Sequence, residues 1–487
     1  MRVLALLAAL LLVSSPTGAV SSAAAAERPN ILFVLTDDLA PDAVGFAGNP
    51  QVRTPRLNRL AREGAVLRNA FCVTPVCSPS RASIVTSRYG SQLNILDWIN
   101  TAVEPEVGLN PNTVTWMELL QEGGYTTSLV GKWHLGTALR FHPTLQGYDH
   151  FTGFLDGGRP TRDPVFEVDG HDAKQAGFTA DVTGDFAIRS LETLAGQSKP
   201  FALSVHFREP HAPWLPAADE DRIPYEQLAV ATPQPSHPLL DTPRMERITR
   251  EYYASVASVD RNVDRILDTL ERLKLTERTV VIFTSDHGYN VGHHGLLHKG
   301  NASWLLRENP PKEAADIPRG KRPNLYDQSL RVPAVVRWPG RIPAGIEIHQ
   351  TVTHLDWYPT LLSIAGLERP QDVPLYGRDS LPLLQGGQVE GWDNEFYVEY
   401  SMRHGARADM RGWRTPDWKL IVDFAHPART EFYDLKADPL ETGNLAASME
   451  GEHPAVRDRL RNRILNRMRE IQDPLLAELA EPAAPEK

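Results

Sequence analysis

The chain has 487 residues, 41% hydrophobic and 23% charged, with a formal net charge of -10. That length and balance fit a globular protein with one large domain and a smaller one, and exclude a fibrous or disordered chain. The acidic excess argues against nucleic acid as a partner, because phosphate contacts need clustered Lys and Arg; an anionic small substrate would need a locally basic pocket.

The amino terminus has the form of an export signal: Arg2, an apolar stretch over residues 3–13, then small residues ending at Ala26. Cleavage is expected there, which gives residues 1–26 as a signal peptide and a periplasmic, secreted or luminal product. The apolar stretch is shorter than the roughly 20 residues that span a bilayer, and no later segment is longer, so no membrane anchor is expected after cleavage. Cys72 and Cys77 are the only cysteines, which rules out a disulfide framework and leaves one local bridge open.

From 28 to about 366, short apolar runs alternate with amphipathic stretches, the pattern of an α/β fold with a parallel sheet covered by helices. Four runs, 31–35, 126–130, 201–205 and 280–283, are uncharged and rich in aliphatic or aromatic residues, as strands buried on both faces require. Residues 251–273 carry apolar positions at helical spacing, and 355–365 form another helix stopped by Gly366. Residues 306–323 have the composition of a surface insertion and 370–391, rich in Pro and Gly, of a linker. Strands are then expected at 395–400 and 418–424, a helix at 455–471, and a frayed Pro/Ala/Glu tail.

Ligands of open parallel sheets sit at the carboxyl ends of the strands, so the residues after the four runs are the first candidates. Two runs deliver carboxylates: Asp37 and Asp38 after the first, Asp286 with His287 after the last. A single Asp-Asp pair is commonly a cap or a solvated turn. Two matching strand ends instead suggest a hard divalent cation, calcium rather than magnesium because calcium tolerates irregular oxygen geometry. The other runs deliver Lys132 and His134, and His206 and His211, groups suited to holding an oxyanion and moving a proton. His206, nearer its strand, has packing as its simpler explanation.

In Cys77-Ser78-Pro79-Ser80-Arg81, Pro79 favours a helix start, which puts Cys77 at a positive helix end, where an anionic nucleophile is stabilised. A buried thiol or a bridge to Cys72 is the alternative. His287, His293, His294 and His298 raise a zinc site, but Gly288, Gly292 and Gly295 interrupt any helix and no His-Glu-x-x-His pattern occurs. Asn301-Ala302-Ser303 fits the short N-glycosylation pattern.

Cys77 to Arg81, with Ala82-Ser83 and Arg88-Tyr89, resembles the signature of the formylglycine-dependent (type I) sulfatases of the alkaline-phosphatase-like superfamily. Residues 30–38 are similar to that family's first strand and metal pair, and Gly131-Lys132-Trp133-His134-Leu135-Gly136 to its second signature. Thr284-Ser285-Asp286-His287-Gly288 resembles its second metal loop, Arg331-Val332-Pro333 and Trp338-Pro339-Gly340 its late strand. Phe432-Tyr433-Asp434-Leu435, Asp438-Pro439 and Asn444-Leu445 resemble its small carboxy-terminal domain. Ser87 departs from the glycine common in the extended signature.

The resemblance implies a large mixed, mostly parallel sheet sandwiched by helices over 27–375, and a smaller α+β domain over 376–487 with antiparallel strands and a terminal helix. It implies a sulfatase acting on a small-molecule or carbohydrate sulfate ester, with Cys77 oxidised by a formylglycine-generating enzyme. In that chemistry the hydrated aldehyde at 77, facing one Ca2+ ion, attacks sulfur while Lys132 and Lys299 hold the sulfate oxygens. His211 protonates the departing alcohol, His134 takes the second hydroxyl's proton, and Arg81 steadies the diol. Asp37, Asp38, Asp286 and His287 become the metal ligands, although nitrogen is a poor calcium ligand. Lys299 is preferred to Lys321 as the second lysine because it follows the metal loop closely. Two alternatives stand beside this: a phosphodiester or phosphonate monoester hydrolase of the same superfamily, and a non-catalytic, calcium-dependent binder of sulfated glycans.

Overall fold

The structure, a computed structural model, describes residues 28–480. The expected signal peptide and the last seven residues of the expected tail, 481–487, lie outside the described residues. In chain order the strands are β1 (Asn30–Thr36), β2 (Ala65–Phe71), β3 (Thr126–Lys132), β4 (His150–Phe154), β5 (Val165–Val168), β6 (His171–Lys174), β7 (Phe201–His206) and β8 (Thr279–Ser285). A small ribbon follows, β9 (Asn290–Val291), β10 (Leu296–His298) and β11 (Ser303–Trp304). The chain then adds β12 (Ala334–Arg337) and β13 (Ile346–Thr353), and ends with β14 (Phe396–Met402), β15 (Ala408–Arg414), β16 (Trp418–Asp423) and β17 (Glu431–Asp434).

Ten strands form one sheet in the order β13-β2-β12-β8-β1-β7-β3-β4-β5-β6. The four apolar runs are its adjacent centre, β8-β1-β7-β3, all mutually parallel. The sheet is mixed because β12 runs antiparallel to both β8 and β2. The unbroken apolar character of β1 follows from the pleat: Leu32 and Val34 enter one core, Ile31, Phe33 and Leu35 the other. On the second face Phe33 lies between Trp116 and Trp357, with ring centroids 5.9 and 6.0 Å away.

The helix expected at 251–273 spans Thr242–Arg272 and buries Met245, Ile248, Tyr252, Val256, Val259, Val263, Ile266 and Leu270 against the first core. It begins early because the Asp241 side chain caps the Arg244 amide at 3.2 Å and Pro243 occupies its first turn. The segment 370–391, expected as a linker, is a packed strap: its short helix Leu381–Leu384 sinks Leu383 and Leu384 into the second core. Residues 306–323 are irregular and largely exposed.

β14 to β17 form a separate antiparallel sheet covered by the helix His453–Glu470. Its charged residues explain why the pattern leaves 408–414 unassigned. In β15, Arg411 is buried and forked onto Asp473 at 2.6 and 3.1 Å, and Arg414 onto Asp327 at 2.9–3.1 Å. The Arg414–Asp327 pair and the Arg322–Glu431 pair, 2.7 Å, fasten this sheet to the larger body. Among the described residues no helix is long and apolar enough to cross a membrane. The parallel strands β1, β3, β7 and β8 end on one edge, where their following residues converge.

Candidate active site

β1 and β8 pair in register up to Thr36 opposite Ser285, which sets Asp37-Asp38 beside Asp286-His287. The two turns are pinned together: the Asp286 amide donates to the Thr36 carbonyl at 3.0 Å, and the Asp38 amide to Asp286 Oδ1 at 3.4 Å. Asp38 takes a left-handed φ of 68°, which an Asp tolerates better than a bulkier residue.

Cys77 is the first residue of the helix Cys77–Thr86, every residue of which is buried. Its Sγ lies 3.0 Å from Lys299 Nζ, 3.4 Å from Asp37 Oδ1 and 3.5 Å from His287 Nε2. Both cysteines are free, so the local bridge to Cys72 does not form. One turn along, Arg81 Nε donates to Asp286 Oδ2 at 3.0 Å and Nη1 to the Lys132 carbonyl at 3.2 Å. Lys132 Nζ donates to Asp37 Oδ2, and Lys299 Nζ is 2.5 Å from Asp38 Oδ1. Lys321 instead reaches Ser303 Oγ at 3.4 Å.

The two remaining histidines approach from other elements. His211 Nδ1 donates to the Ala212 carbonyl at 2.7 Å, its Nε2 is 3.8 Å from Asp38 Oδ2, and its side chain is 30% exposed. His134 Nε2 donates to the Ile99 carbonyl at 3.1 Å, while its Nδ1 is buried with no hydrogen-bond partner. His206 Nδ1 donates to the Lys132 carbonyl at 3.0 Å, and burial drives its pKa down to about 3, which is the packing explanation.

The electrostatics are those of a crowded, dry cluster. Burial pushes the Asp37 carboxyl up, but Lys132, His211, Lys299 and Arg81 hold it well below the usual range. Asp286, raised by burial and then by Asp37, stands at about 7. Burial and Asp37 also push the Cys77 thiol up, yet Lys132, Lys299 and the hydrogen bond with His287 bring it down to about 6. Burial, then Lys132 and Arg81, keep His134 well below the ordinary histidine value.

Asp37, Cys77, Asp286 and His287 present ligand atoms all within 4.8 Å of one another, as do Asp37, Asp38, Cys77 and His211. The donor set fits a divalent cation. Three carboxylates crowd one point, with oxygens of Asp37, Asp38 and Asp286 at 3.8, 3.5 and 3.3 Å from His287 Nε2, an arrangement a cation would relieve. His287 Nδ1 donates to the Gly288 carbonyl at 2.9 Å, which leaves Nε2 facing the carboxylates. Zinc is not assembled from the histidine group: His293 pairs with Asp42 at 3.2 Å, His294 stacks on Tyr326, and His298 bonds Tyr289. The side-chain oxygen of Asn301, the candidate glycan acceptor, is buried.

Some contributors carry no motif. Ser80 Oγ donates to the Asp286 carbonyl and lies 3.0 Å from His354 Nδ1, bracing the helix of Cys77 against the metal loop. Ile99 and Gly157 meet His134 from segments with no chemical signature.

A family profile described as sulfatase matches residues 29–367, and one described as N-sulphoglucosamine sulphohydrolase, C-terminal, matches 320–470. The chain is 27% identical to an N-acetylglucosamine-6-O-sulfatase of Bacteroides thetaiotaomicron over 87% of its own length and 84% of the relative's. It is 32% identical to an N-acetylgalactosamine-6-sulfatase of Canis lupus familiaris, covering 78% of this chain and 70% of that one. A solved structure in complex with its substrate D-glucosamine-2-N,6-O-disulfate superposes with a TM-score of 0.77 and 25% identity, over 92% of this chain and 99% of the other.

Proposed function

The chain belongs to the sulfatase family and is a sulfuric ester hydrolase; from that premise we propose that it removes sulfate from sulfated carbohydrates, using a formylglycine made from Cys77 beside a bound calcium ion. The observation that carries the reading is Cys77 Sγ, held 3.0–3.5 Å from Lys299, Asp37 and His287 inside a buried group of metal-capable side chains. The names of the two relatives and the disulfated glucosamine of the solved neighbour support a 6-O-sulfated hexosamine as the substrate class.

In this reading Asp37, Asp38, Asp286 and His287 Nε2 hold the cation. Calcium and formylglycine, when present, supply Lewis-acid charge and a hydroxyl nucleophile. Lys132 and Lys299 place two ammonium groups where sulfate oxygens gather negative charge, in a site dry enough to make each worth more than in water. Arg81, tied to Asp286 and the Lys132 carbonyl, fixes the floor of the site. His211 Nε2, on the most exposed of these side chains, gives a proton to the departing alcohol oxygen from the charged ring, Nδ1 keeping its own hydrogen on the Ala212 carbonyl. His134 Nδ1, buried without a hydrogen-bond partner, takes up a proton during turnover. The chain is read as exported and matured by a formylglycine-generating enzyme, with 27–375 as the catalytic unit and 376–487 as the smaller one.

Peptide mass spectrometry across Cys77 tests the maturation, and metal analysis tests the ion. An aldehyde at 77, calcium in the protein, and faster release of sulfate from a hexosamine 6-sulfate than of phosphate from an aryl phosphate are the expected results. A plain thiol in protein from the native host, with glycan binding but no sulfate release, would replace this reading with the binding-protein one.

A further inference from the structure

His134 is held by a segment that belongs to neither of the site's signatures. The Ile99 carbonyl can only accept, so the hydrogen of this 3.1 Å contact sits on His134 Nε2 and the unpartnered Nδ1 carries the lone pair. The Ile99 amide in turn donates to Ser78 Oγ at 3.0 Å, tying the same residue to the start of the Cys77 helix. Two residues back, buried Asp97 locks the strap in place. Its Oδ2 accepts from the Arg403 and His404 amides at 2.7 and 3.0 Å, and its Oδ1 from the Trp98 amide at 2.8 Å and Tyr400 OH at 3.1 Å. Arg403 and His404 lie in the hairpin between β14 and β15, so the small sheet reaches the site through this carboxylate. Gly157 completes the mount: a Cβ there would stand 2.8 Å from His134 Nε2 and 2.9 Å from Cε1, whereas one on Gly158 would meet nothing within 4 Å.

We propose that the strap 97–99, clamped by Asp97 to the β14–β15 hairpin and working with Gly157, is the positioning device of His134, holding its hydrogen on Nε2 so that Nδ1 is the nitrogen that accepts a proton. Asp97 and Gly157 are positioning residues; neither is assigned a contact with substrate. The kinetic part rests on the hydrolytic reading above, while the tautomer does not.

The test uses the full purified chain. Nitrogen-15 NMR of the imidazoles, with His134 assigned by its loss in His134→Gln, is expected to show Nε2 protonated and Nδ1 bare. Gly157→Ala is expected to disturb that signal and lower kcat on an aryl sulfate roughly ten- to a hundredfold with KM little changed, in line with the sensitivity of catalysis to small misplacements. Gly158→Ala is expected to match the wild type in both readouts. Asp97→Ala is expected to mix the tautomers and lower kcat in the same way. A His134 ring protonated on Nδ1 in the wild type overturns the proposal, as does Gly157→Ala with unaltered kcat and spectrum. A wild type with the expected tautomer but no sulfate release sinks the functional reading and leaves the positioning intact.

Discussion

Replacing His211 with Ala isolates one proton transfer. Its Nδ1 is committed to the Ala212 carbonyl at 2.7 Å, so Nε2 is the free nitrogen; the side chain is 30% exposed, while those of Asp37, Asp38, Lys132 and Lys299 are at most 5%. It is thus the most exposed of these groups, the position the proposed reaction gives to the departing alcohol, and it stands 3.8 Å from Asp38, too far for a strong ion pair. A positioned general acid contributes about 10²–10⁴ in rate, or about 3–5 kcal/mol of barrier. That contribution matters for a sugar alkoxide, which leaves poorly, and little for a nitrophenolate, which leaves as a stable anion. His211→Ala should therefore lower kcat on a hexosamine 6-sulfate by roughly 10²–10⁴ and on nitrophenyl sulfate by less than about tenfold. Steady-state kinetics on both esters, with bound calcium measured in each preparation, make the comparison. Equal losses on the two substrates, at equal calcium content, refute the role.

Lys299→Ala should cost roughly 10²–10³ in kcat, the usual loss of one oxyanion-stabilising group, while Lys321→Ala should keep near-wild-type rates because Lys321 reaches Ser303 rather than Cys77. The reverse outcome would reassign the second lysine. Chelation with EGTA should abolish activity and lower Tm, because the buried Asp37, Asp38 and Asp286 then have only Lys132, Lys299 and Arg81 to offset their charge. Calcium at a thousandfold its Kd would restore about 4 kcal/mol of stability, and a Tm indifferent to calcium would exclude the ion. Asp260 offers a pH test away from the site. It accepts the Arg56 and Leu57 amides at 3.2 and 2.8 Å, and burial pushes its carboxyl up to about 6. The native carboxyl keeps its proton to higher pH than the unfolded one, so this group's effect on stability worsens from about pH 4 to about pH 6 and is flat above. Urea titrations should show a loss of about 1–3 kcal/mol across that window, absent in Asp260→Asn.

Much of the site was legible because its residues sit next to strong signals. Asp37, Asp38, Lys132, His134, His211, Asp286 and His287 all follow closely on the apolar runs of the four central strands, and burial on both faces makes such runs conspicuous. β15 was hidden for the opposite reason. Asp409, Arg411 and Arg414 break its apolar pattern, and only pairing with residues distant in the chain, such as Asp327 and Asp473, makes them fit for burial. The strap at 381–384 was obscured because prolines and glycines around its leucines dominate the local composition.

From its order of residues alone, this chain determined its family, its central strands and the chemical types gathered at their ends, because those depend on local pattern and on motifs a few residues long. Tertiary structure decided three further matters. It set Lys299 against Cys77 and Lys321 against Ser303, dispersed the histidines that might have formed a zinc site, and set the hydrogen on His134 through the carbonyl of Ile99. Each depends on contacts between segments far apart in the chain, where no short-range periodicity records which side chain a fold will bring within 3 Å of another.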